Sequence, residues 1–202
     1  MSRLSNKIYG CVLIGGRSRR FGGMDKSQLL IGEATLLDHV IRRAQCQVED
    51  LALSSGSSER TDVASFTLPV LRDEYDQIGP MAGLHACLKW AQRDAGYIAT
   101  FACDTPSFPA DMVKRLVQAA HASKAPIALP RNRGRVHTAL GLWSTALLPE
   151  LVRAIDAEKF AFTRWAMDNG AALVDFEDTS KLEFFNINTP EDAEQYRHLL
   201  EQ

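Results

Sequence analysis

The sequence predicts a three-layer α/β domain whose central sheet is mostly parallel. Short apolar runs alternate along the chain with longer segments in which apolar residues recur every three or four positions. Several of these runs are apolar at every position, so a strand there needs cover on both faces, which two helix layers provide. The composition, 46% hydrophobic and 24% charged, is that of an ordinary globular chain and excludes a disordered or fibrous one.

The alternation of elements begins with the apolar run at 8–14, which ends at two glycines and predicts a buried first strand. Residues 34–47 follow, and their apolar side chains have the spacing of an amphipathic helix. Further strands are predicted at 51–53, 66–71, 97–102, 126–129, 139–143 and 172–176. Further helices are predicted at 81–93, 110–122, near 145–155, at 161–169 and from Pro190 onward.

Length, charge and cysteine spacing restrict the class of protein. A chain of 202 residues is typical of one domain, so we expect residues 1–202 to form a single domain. The net charge of −2 excludes a strongly basic surface as the route to nucleic acid. The four cysteines lack the spacing of a zinc or redox site, and the run at 8–14 is too short for a membrane span or signal peptide. We therefore expect a cytoplasmic protein that binds neither nucleic acid nor membranes.

The loop at 15–26 has the composition of a phosphate-binding loop, with four glycines, three arginines and one lysine. The backbone N–H groups of Gly15 and Gly16 can point at an anion. The Arg20 guanidinium can bind two phosphate oxygens at once, while the Lys26 ammonium acts as a point charge. The loop is neither a Walker loop nor a GxGxxG loop. The alternative is a solvated loop without a ligand.

Two carboxylates follow predicted strands. Asp104 comes directly after the strand at 97–102, and Asp73 after the one at 66–71. A Mg²⁺ ion bound to nucleotide phosphates typically takes one or two protein carboxylates, so Asp104 is the first candidate for a metal ligand. Either aspartate can instead be a turn residue. Ligands of such sheets bind beyond the carboxyl ends of the strands, so both loops belong to one expected site.

These motifs resemble a known family. The first loop is the run Leu13-Ile-Gly-Gly-Arg-Ser-Arg-Arg-Phe-Gly-Gly-Met-Asp-Lys26. It resembles the LAGGxSxRMGxxK signature of nucleotidyltransferases that have the nucleotide-diphosphosugar-transferase fold, which is a Rossmann-like fold. Four later segments match the molybdenum cofactor guanylyltransferase family in order: Gly79-Pro80-Met-Ala-Gly83, Cys103-Asp104-Thr-Pro106, His137-Thr138 and Phe185-Asn-Ile-Asn-Thr-Pro190.

The resemblance implies a reaction and a set of residues. The terminal phosphate of molybdopterin attacks the α-phosphorus of GTP, pyrophosphate leaves, and molybdopterin guanine dinucleotide forms. Lys26, Arg20 and Asp104 would be catalytic, with Mg²⁺ on Asp104. The implied GTP site comprises Leu13, Ile14, Gly15, Gly16, Lys26, Ser54, Asp73 and Asp104. Ile14 and Phe21 replace the usual Ala and Met, and Ser54 stands where the family often has Asn, whose side chain reaches further.

Two alternatives to the guanylyltransferase stay open. One is a molybdopterin cytidylyltransferase or another small-cofactor nucleotidyltransferase, because few hydrogen bonds decide the base. The other, from a different class, is a non-catalytic GTP-binding chaperone of the molybdenum cofactor. The resemblance also implies transient contacts with cofactor-biosynthesis proteins and with the proteins that accept the product.

Asn186 and Asn188 are the candidates for binding molybdopterin. Apolar and polar residues alternate from Phe185, so both asparagines should lie on one face of an extended segment ahead of the final helix. An Asn amide can meet both the donors and the acceptors of a pterin ring. The alternative is that one of them caps the final helix or bonds its own backbone.

Overall fold

A computed structural model describes residues 7–14, 26–56, 66–76, 78–177 and 180–201 of the chain. The strands in these ranges are β1 (Ile8–Leu13), β2 (Leu30–Ile31), β3 (Ala34–Thr35), β4 (Asp50–Ser54), β5 (Val70–Leu71), β6 (Tyr97–Ala102), β7 (Ile127–Asn132), β8 (Arg135–Val136), β9 (Leu142–Ser144) and β10 (Ala172–Asp175). The α-helices are α1 (Leu36–Gln45), α2 (Pro80–Ala91), α3 (Met112–Ser123), α4 (Leu148–Asp156), α5 (Phe162–Asp168) and α6 (Pro190–Leu200).

The main sheet has the strand order β10-β7-β9-β6-β1-β4-β5, with β8 paired to β7. β1, β4, β5 and β6 are parallel neighbours, and β10 is parallel to β7. β9 runs antiparallel between β6 and β7, so β7 has the same direction as β6. The mostly parallel sheet of the sequence prediction is confirmed. As a result, the carboxyl ends of β5, β4, β1, β6, β7 and β10 all lie at one edge of the sheet, called the carboxyl edge below.

Helices cover both faces of the sheet. On one face, α1 and α3 pack their apolar side chains against strand residues such as Val12 and Phe101. On the other face, α2, α4 and α5 pack against residues such as Cys11 and Trp143. The Trp143 side chain is fully buried, and its ring stacks on Phe162 and Trp165. The predicted three-layer arrangement is therefore confirmed.

A small third hydrophobic core packs two distant segments of the chain together next to the carboxyl edge. Ile31 and Leu36 pack with Ile187 and with Ala193 and Tyr196 of α6. This contact joins the segment after Lys26 to the segment that carries the two predicted substrate asparagines. The final helix begins at Pro190, as predicted.

Some short elements differ from the sequence prediction. The predicted strand 66–71 pairs only at Val70–Leu71, and the predicted helix 34–47 begins at Leu36. It begins there because Thr35 is its N-cap: the Thr35 hydroxyl accepts from the backbone of Asp38, whose carboxylate in turn accepts from the Thr35 N–H. Ala34–Thr35 instead pairs with Leu30–Ile31 across a turn at Gly32, where φ is +64°. Two-residue strands are too short to show periodicity in a sequence.

Two further observations concern the cysteines and the helices. All four cysteines are free thiols in the structure. Within the described residues, no helix has the length and apolar character needed to cross a bilayer.

Candidate functional site

Four side chains from three distant segments of the sequence meet in one hydrogen-bonded cluster at the carboxyl edge. The Lys26 Nζ lies 3.2 Å from Asp104 Oδ2 and donates to Asn188 Oδ1 at 2.8 Å. Asn186 Nδ2 donates to Asp104 Oδ1 at 3.1 Å, and Asn188 Nδ2 donates to Asn186 Oδ1. The cluster of Lys26, Asp104, Asn186 and Asn188 is called the Lys–Asp–Asn cluster below.

Local structure explains why these side chains converge. Lys26 opens a single 3-10 turn (Lys26–Gln28), and Asp104 follows the end of β6 by two residues. The Ile187 N–H donates to the Asp104 carbonyl at 2.8 Å, while the Ile187 side chain is fully buried between the two asparagines. Burial of Ile187 places both neighbouring asparagines on the same face, as the alternation predicts.

The alternative, that one of the two asparagine side chains caps the final helix or bonds its own backbone, is wrong. Thr189 is the N-cap of α6: its hydroxyl accepts from the Asp192 N–H at 3.1 Å, and the Asp192 carboxylate accepts from the Thr189 N–H at 2.9 Å. Only the backbone of Asn188 takes part, donating to Asp192 at 2.8 Å. The Asn186 and Asn188 side chains are left for the Lys–Asp–Asn cluster.

The cluster offers oxygen ligands to a hard cation and one ammonium group to an anion. Asp104 Oδ1 accepts from Asn186 and, at 3.2 Å, from the Thr105 hydroxyl, so its carboxylate is oriented from two sides. Carboxylate and amide oxygens are ligands that Mg²⁺ prefers. The side chains of Lys26 and Asp104 are 18% and 29% exposed, so both are open to a ligand.

A second pair lies on the other side of β1, at the ends of β4 and β5. Ser54 Oγ donates to Asp73 Oδ1 at 2.9 Å. Burial raises the pKa of Asp73, against the effect of the Ser54 hydrogen bond, and the nearby Asp76 raises it further. Ser54 therefore retains a polar partner even though it is shorter than the usual Asn.

The start of α2 packs against the residues of this second pair. A methyl group added at Gly83 would lie 2.9 Å from Ser54 Oγ and 3.0 Å from Leu13 Cδ2, so only glycine allows this approach. Gly79, the N-cap, has φ +64°, a conformation that favours glycine, and Pro80 follows in the first turn. The Gly79-Pro80-Met-Ala-Gly83 motif thus places a helix N-terminus, which favours anions, beside Leu13 and Ser54.

The remaining predicted residues fall into two groups. Leu13 ends β1 and Ile14 follows it, and the Ile14 N–H donates to the Ser54 carbonyl at 2.9 Å. Gly15, Gly16 and Arg20 lie outside the described residues, so their predicted roles stay predictions.

Sequence reasoning missed the contacts of Thr105 and His137. The Thr105 hydroxyl orients Asp104, and the His137 ring stacks on Phe184 with centroids 4.8 Å apart. Both residues belong to motifs that the sequence showed, but nothing in the spacing indicated what they touch.

Comparison with known proteins agrees with this geometry. Residues 10–168 match the family of MobA-like NTP transferase domains. The chain is 37% identical over 195 residues to the molybdenum cofactor guanylyltransferase of Cereibacter sphaeroides, covering 96% of this chain and 97% of that one. It is 38% identical over 202 residues to the enzyme of the same name from Mesorhizobium japonicum, covering 96% of each.

Solved structures share the fold at low sequence identity. The molybdopterin-guanine dinucleotide biosynthesis protein A of Archaeoglobus fulgidus superposes with a TM-score of 0.77 at 20% identity, covering 96% of this chain and 98% of that one. A Mycobacterium tuberculosis protein solved in complex with manganese gives a TM-score of 0.70 at 17% identity, covering 95% of this chain and 98% of that one.

Proposed function

The chain belongs to the family of MobA-like NTP transferase domains, and from this premise we propose how its residues transfer GMP from GTP to molybdopterin. The enzyme is a nucleotidyltransferase: the terminal phosphate of molybdopterin displaces pyrophosphate from the α-phosphorus of GTP, and molybdopterin guanine dinucleotide forms. We propose that residues 1–202 act as one domain in the cytoplasm, a location that suits four free thiols.

The Lys–Asp–Asn cluster is the observation that carries the proposal. An in-line displacement at phosphorus requires positioning and charge stabilisation more than covalent catalysis. Lys26 contacts oxygens of Asp104 and Asn188, and phosphate oxygens can replace these. Its ammonium would then stabilise the charge that develops on the α-phosphate and on the leaving pyrophosphate. No general base is needed, because the attacking phosphate is already ionised at neutral pH.

We propose Mg²⁺ as the divalent ion, with Asp104 as its protein ligand. The oxygen-rich cluster supports a hard cation. Within the described residues, no group of three His, Cys, Asp or Glu side chains could hold a metal alone, which is consistent with an ion shared with the phosphates of the nucleotide. When bound, such an ion would neutralise phosphate charge.

The two sides of β1 have different proposed ligands. Leu13, Ile14, Ser54 and Asp73, beside the N-terminus of α2, would bind GTP, and Gly15, Gly16 and Arg20 would complete its phosphate site. Asn186 and Asn188 would bind the molybdopterin that attacks. Partner proteins that deliver molybdopterin or accept the product would meet this edge transiently.

Pyrophosphate release tests the proposal. The purified protein with Mg²⁺, GTP and molybdopterin should release one pyrophosphate for each molybdopterin guanine dinucleotide formed, and CTP in place of GTP should give little. Binding of GTP without pyrophosphate release would point to the chaperone alternative. Faster release from CTP would identify a cytidylyltransferase.

Lys26→Ala should lower the turnover number by at least about a hundredfold, the scale of losing one strong charge contact in a transition state. Lys89→Ala is the matched control. Lys89 lies on α2, and its exposed ammonium pairs with the Glu74 carboxylate. Turnover of Lys26→Ala equal to that of the Lys89 control would contradict the role of Lys26.

Asp104→Asn, which keeps the shape but removes the charge, should lose Mg²⁺-dependent GTP binding while its thermal unfolding stays normal.

A further inference from the structure

The half of the carboxyl edge beyond β6 carries a feature that the proposed reaction has not used. β7 ends there in a tight hairpin to β8, with Arg133 and Gly134 at positive φ in the turn. After the hairpin the chain returns to the end of β7, where the His137 N–H donates to the Pro130 carbonyl at 3.0 Å. β7 is separated from β6 only by β9, so His137 lies about 10 Å along the edge from the end of β6.

The His137 ring lies on an aromatic support. It stacks on Phe184 at 4.8 Å with an interplanar angle of 30°, and Phe184 in turn contacts Phe176 at 5.5 Å. Phe184 is only 5% exposed and has φ +60°, a conformation that is rare and costly for a bulky residue. The backbone strain at Phe184 is maintained by its surroundings, which hold the ring beneath His137.

This support is built on the same segment as the Lys–Asp–Asn cluster. The Phe184 N–H donates to the Ser107 carbonyl at 2.8 Å, three residues after Asp104. Two residues beyond Phe184 lies Asn186, which donates to Asp104. A ligand whose phosphate reaches the cluster can therefore extend along this segment to His137.

The His137 ring retains hydrogen-bonding capacity. No hydrogen bond joins its nitrogens to other residues in the described parts of the chain, and the residue is only half-buried. Burial and the neighbouring Arg135 lower the pKa of His137 to about 4. At neutral pH the ring is therefore uncharged and offers one donor and one acceptor, which suits the edge of a planar nitrogen heterocycle.

We propose that His137 binds the heterocyclic end of the acceptor, the end remote from the phosphate that attacks GTP. The inference rests on the proposed function, since it assumes that the acceptor is molybdopterin, a fused pterin with a phosphate arm. In this arrangement the attacking phosphate lies at the cluster, so Asn186 and Asn188 would meet the phosphate end of molybdopterin and not the pterin ring for which the sequence suggested them. His137 on its Phe184 support would bind the ring at the other end of the same molecule.

His137→Phe tests the proposal, because it keeps an aromatic ring on Phe184 and removes both nitrogens. The KM for molybdopterin should rise about tenfold, the scale of one or two lost neutral hydrogen bonds, while GTP affinity and kcat at saturating molybdopterin stay within about twofold. His121→Phe is the matched control: His121 lies against Tyr97 at the opposite edge of the sheet, and its loss should change neither constant. An unchanged KM in His137→Phe overturns the proposal.

A second variant and a direct binding measurement keep the result interpretable. His137→Asn retains a donor and an acceptor, so its KM should lie between those of the wild type and His137→Phe; a KM as high as that of His137→Phe would overturn the hydrogen-bonding role. If the wild type releases no pyrophosphate with molybdopterin, the proposed function fails. Pterin-fluorescence titration then tests His137 alone: weaker binding by His137→Phe supports the inference, and equal binding overturns it.

Discussion

At the residue scale, Asn186 and Asn188 contact opposite charges, so adding a carboxylate at each should have different effects. Asn186→Asp places a second carboxylate against Asp104, where it would repel the phosphate of molybdopterin, so the KM for molybdopterin should rise roughly tenfold while Mg²⁺-dependent GTP binding changes less. Asn188→Asp instead gives Lys26 a second carboxylate partner, so turnover should fall further than GTP affinity does. Titration calorimetry with Mg²⁺–GTP and pyrophosphate-release kinetics measure the two effects.

Asn169→Asp serves as the control for the same chemical change. Asn169 follows α5, where its side-chain amide donates to the Trp165 carbonyl at 2.9 Å, and its replacement should leave both measurements unchanged. If the two cluster variants lose affinity and turnover in equal proportion, the separate roles of Asp104 and Lys26 are contradicted.

The members of the cluster could be predicted from sequence, but their contacts could not. Lys26 and Asp104 follow a loop and a strand whose type was recognisable, and the alternation after Phe185 put the two asparagines on one face. The pairing of Lys26 with Asn188 could not be predicted from local sequence patterns. The two residues are 162 positions apart, and their contact depends on the core around Ile187. The stack of His137 on Phe184 is likewise a product of tertiary packing.

At the element scale, the close packing of α2 on the ends of β1 and β4 predicts a strong effect of one methyl group. Gly83→Ala would push Ser54 or Leu13 away, because the added Cβ would lie 2.9 Å from Ser54 Oγ. We expect a loss of about 1–3 kcal/mol in the free energy of unfolding and a several-fold loss of GTP affinity in the protein that remains folded. Urea denaturation and calorimetry measure the two quantities.

Gly141→Ala provides the comparison on the other half of the sheet. Its added Cβ would lie 2.7 Å from Leu129 Cδ2, so it should destabilise the protein while leaving GTP affinity intact. An equal loss of GTP affinity in both variants would mean that α2 affects the nucleotide site only through overall stability.

Long elements were predictable because their periodicity is strong. The run at 8–14 and the final helix appear as β1 and α6, and the pattern at 34–47 contains α1. The two-residue strands β2, β3 and β8 escaped prediction because each is defined by its partner strand and not by its own pattern.

At the scale of the whole molecule, the carboxyl edge contains two groups whose ionisation changes stability in opposite directions with pH. Burial raises the pKa of Asp73, so its contribution to stability is present in acid and is lost as pH rises through its folded pKa. The pKa of His137 falls from its ordinary 6.5 to about 4, so its contribution is present above pH 6.5 and is lost as pH falls toward 4. Acid therefore favours unfolding through His137 and opposes it through Asp73.

His137→Phe isolates the histidine part of this pH dependence, because Asp73 is the same in both proteins. At pH 4.5, but not at pH 7, unfolding of the wild type is accompanied by protonation of His137. This lowers its free energy of unfolding by about 1–2 kcal/mol between the two pH values, once solvent screening of the partly exposed ring is included. The variant should therefore lose about that much less stability over this range, whatever its stability at pH 7. Urea denaturation of both proteins at the two pH values measures the difference. Parallel pH dependences would contradict the lowered pKa of His137, and with it the claim that the ring on Phe184 stays uncharged.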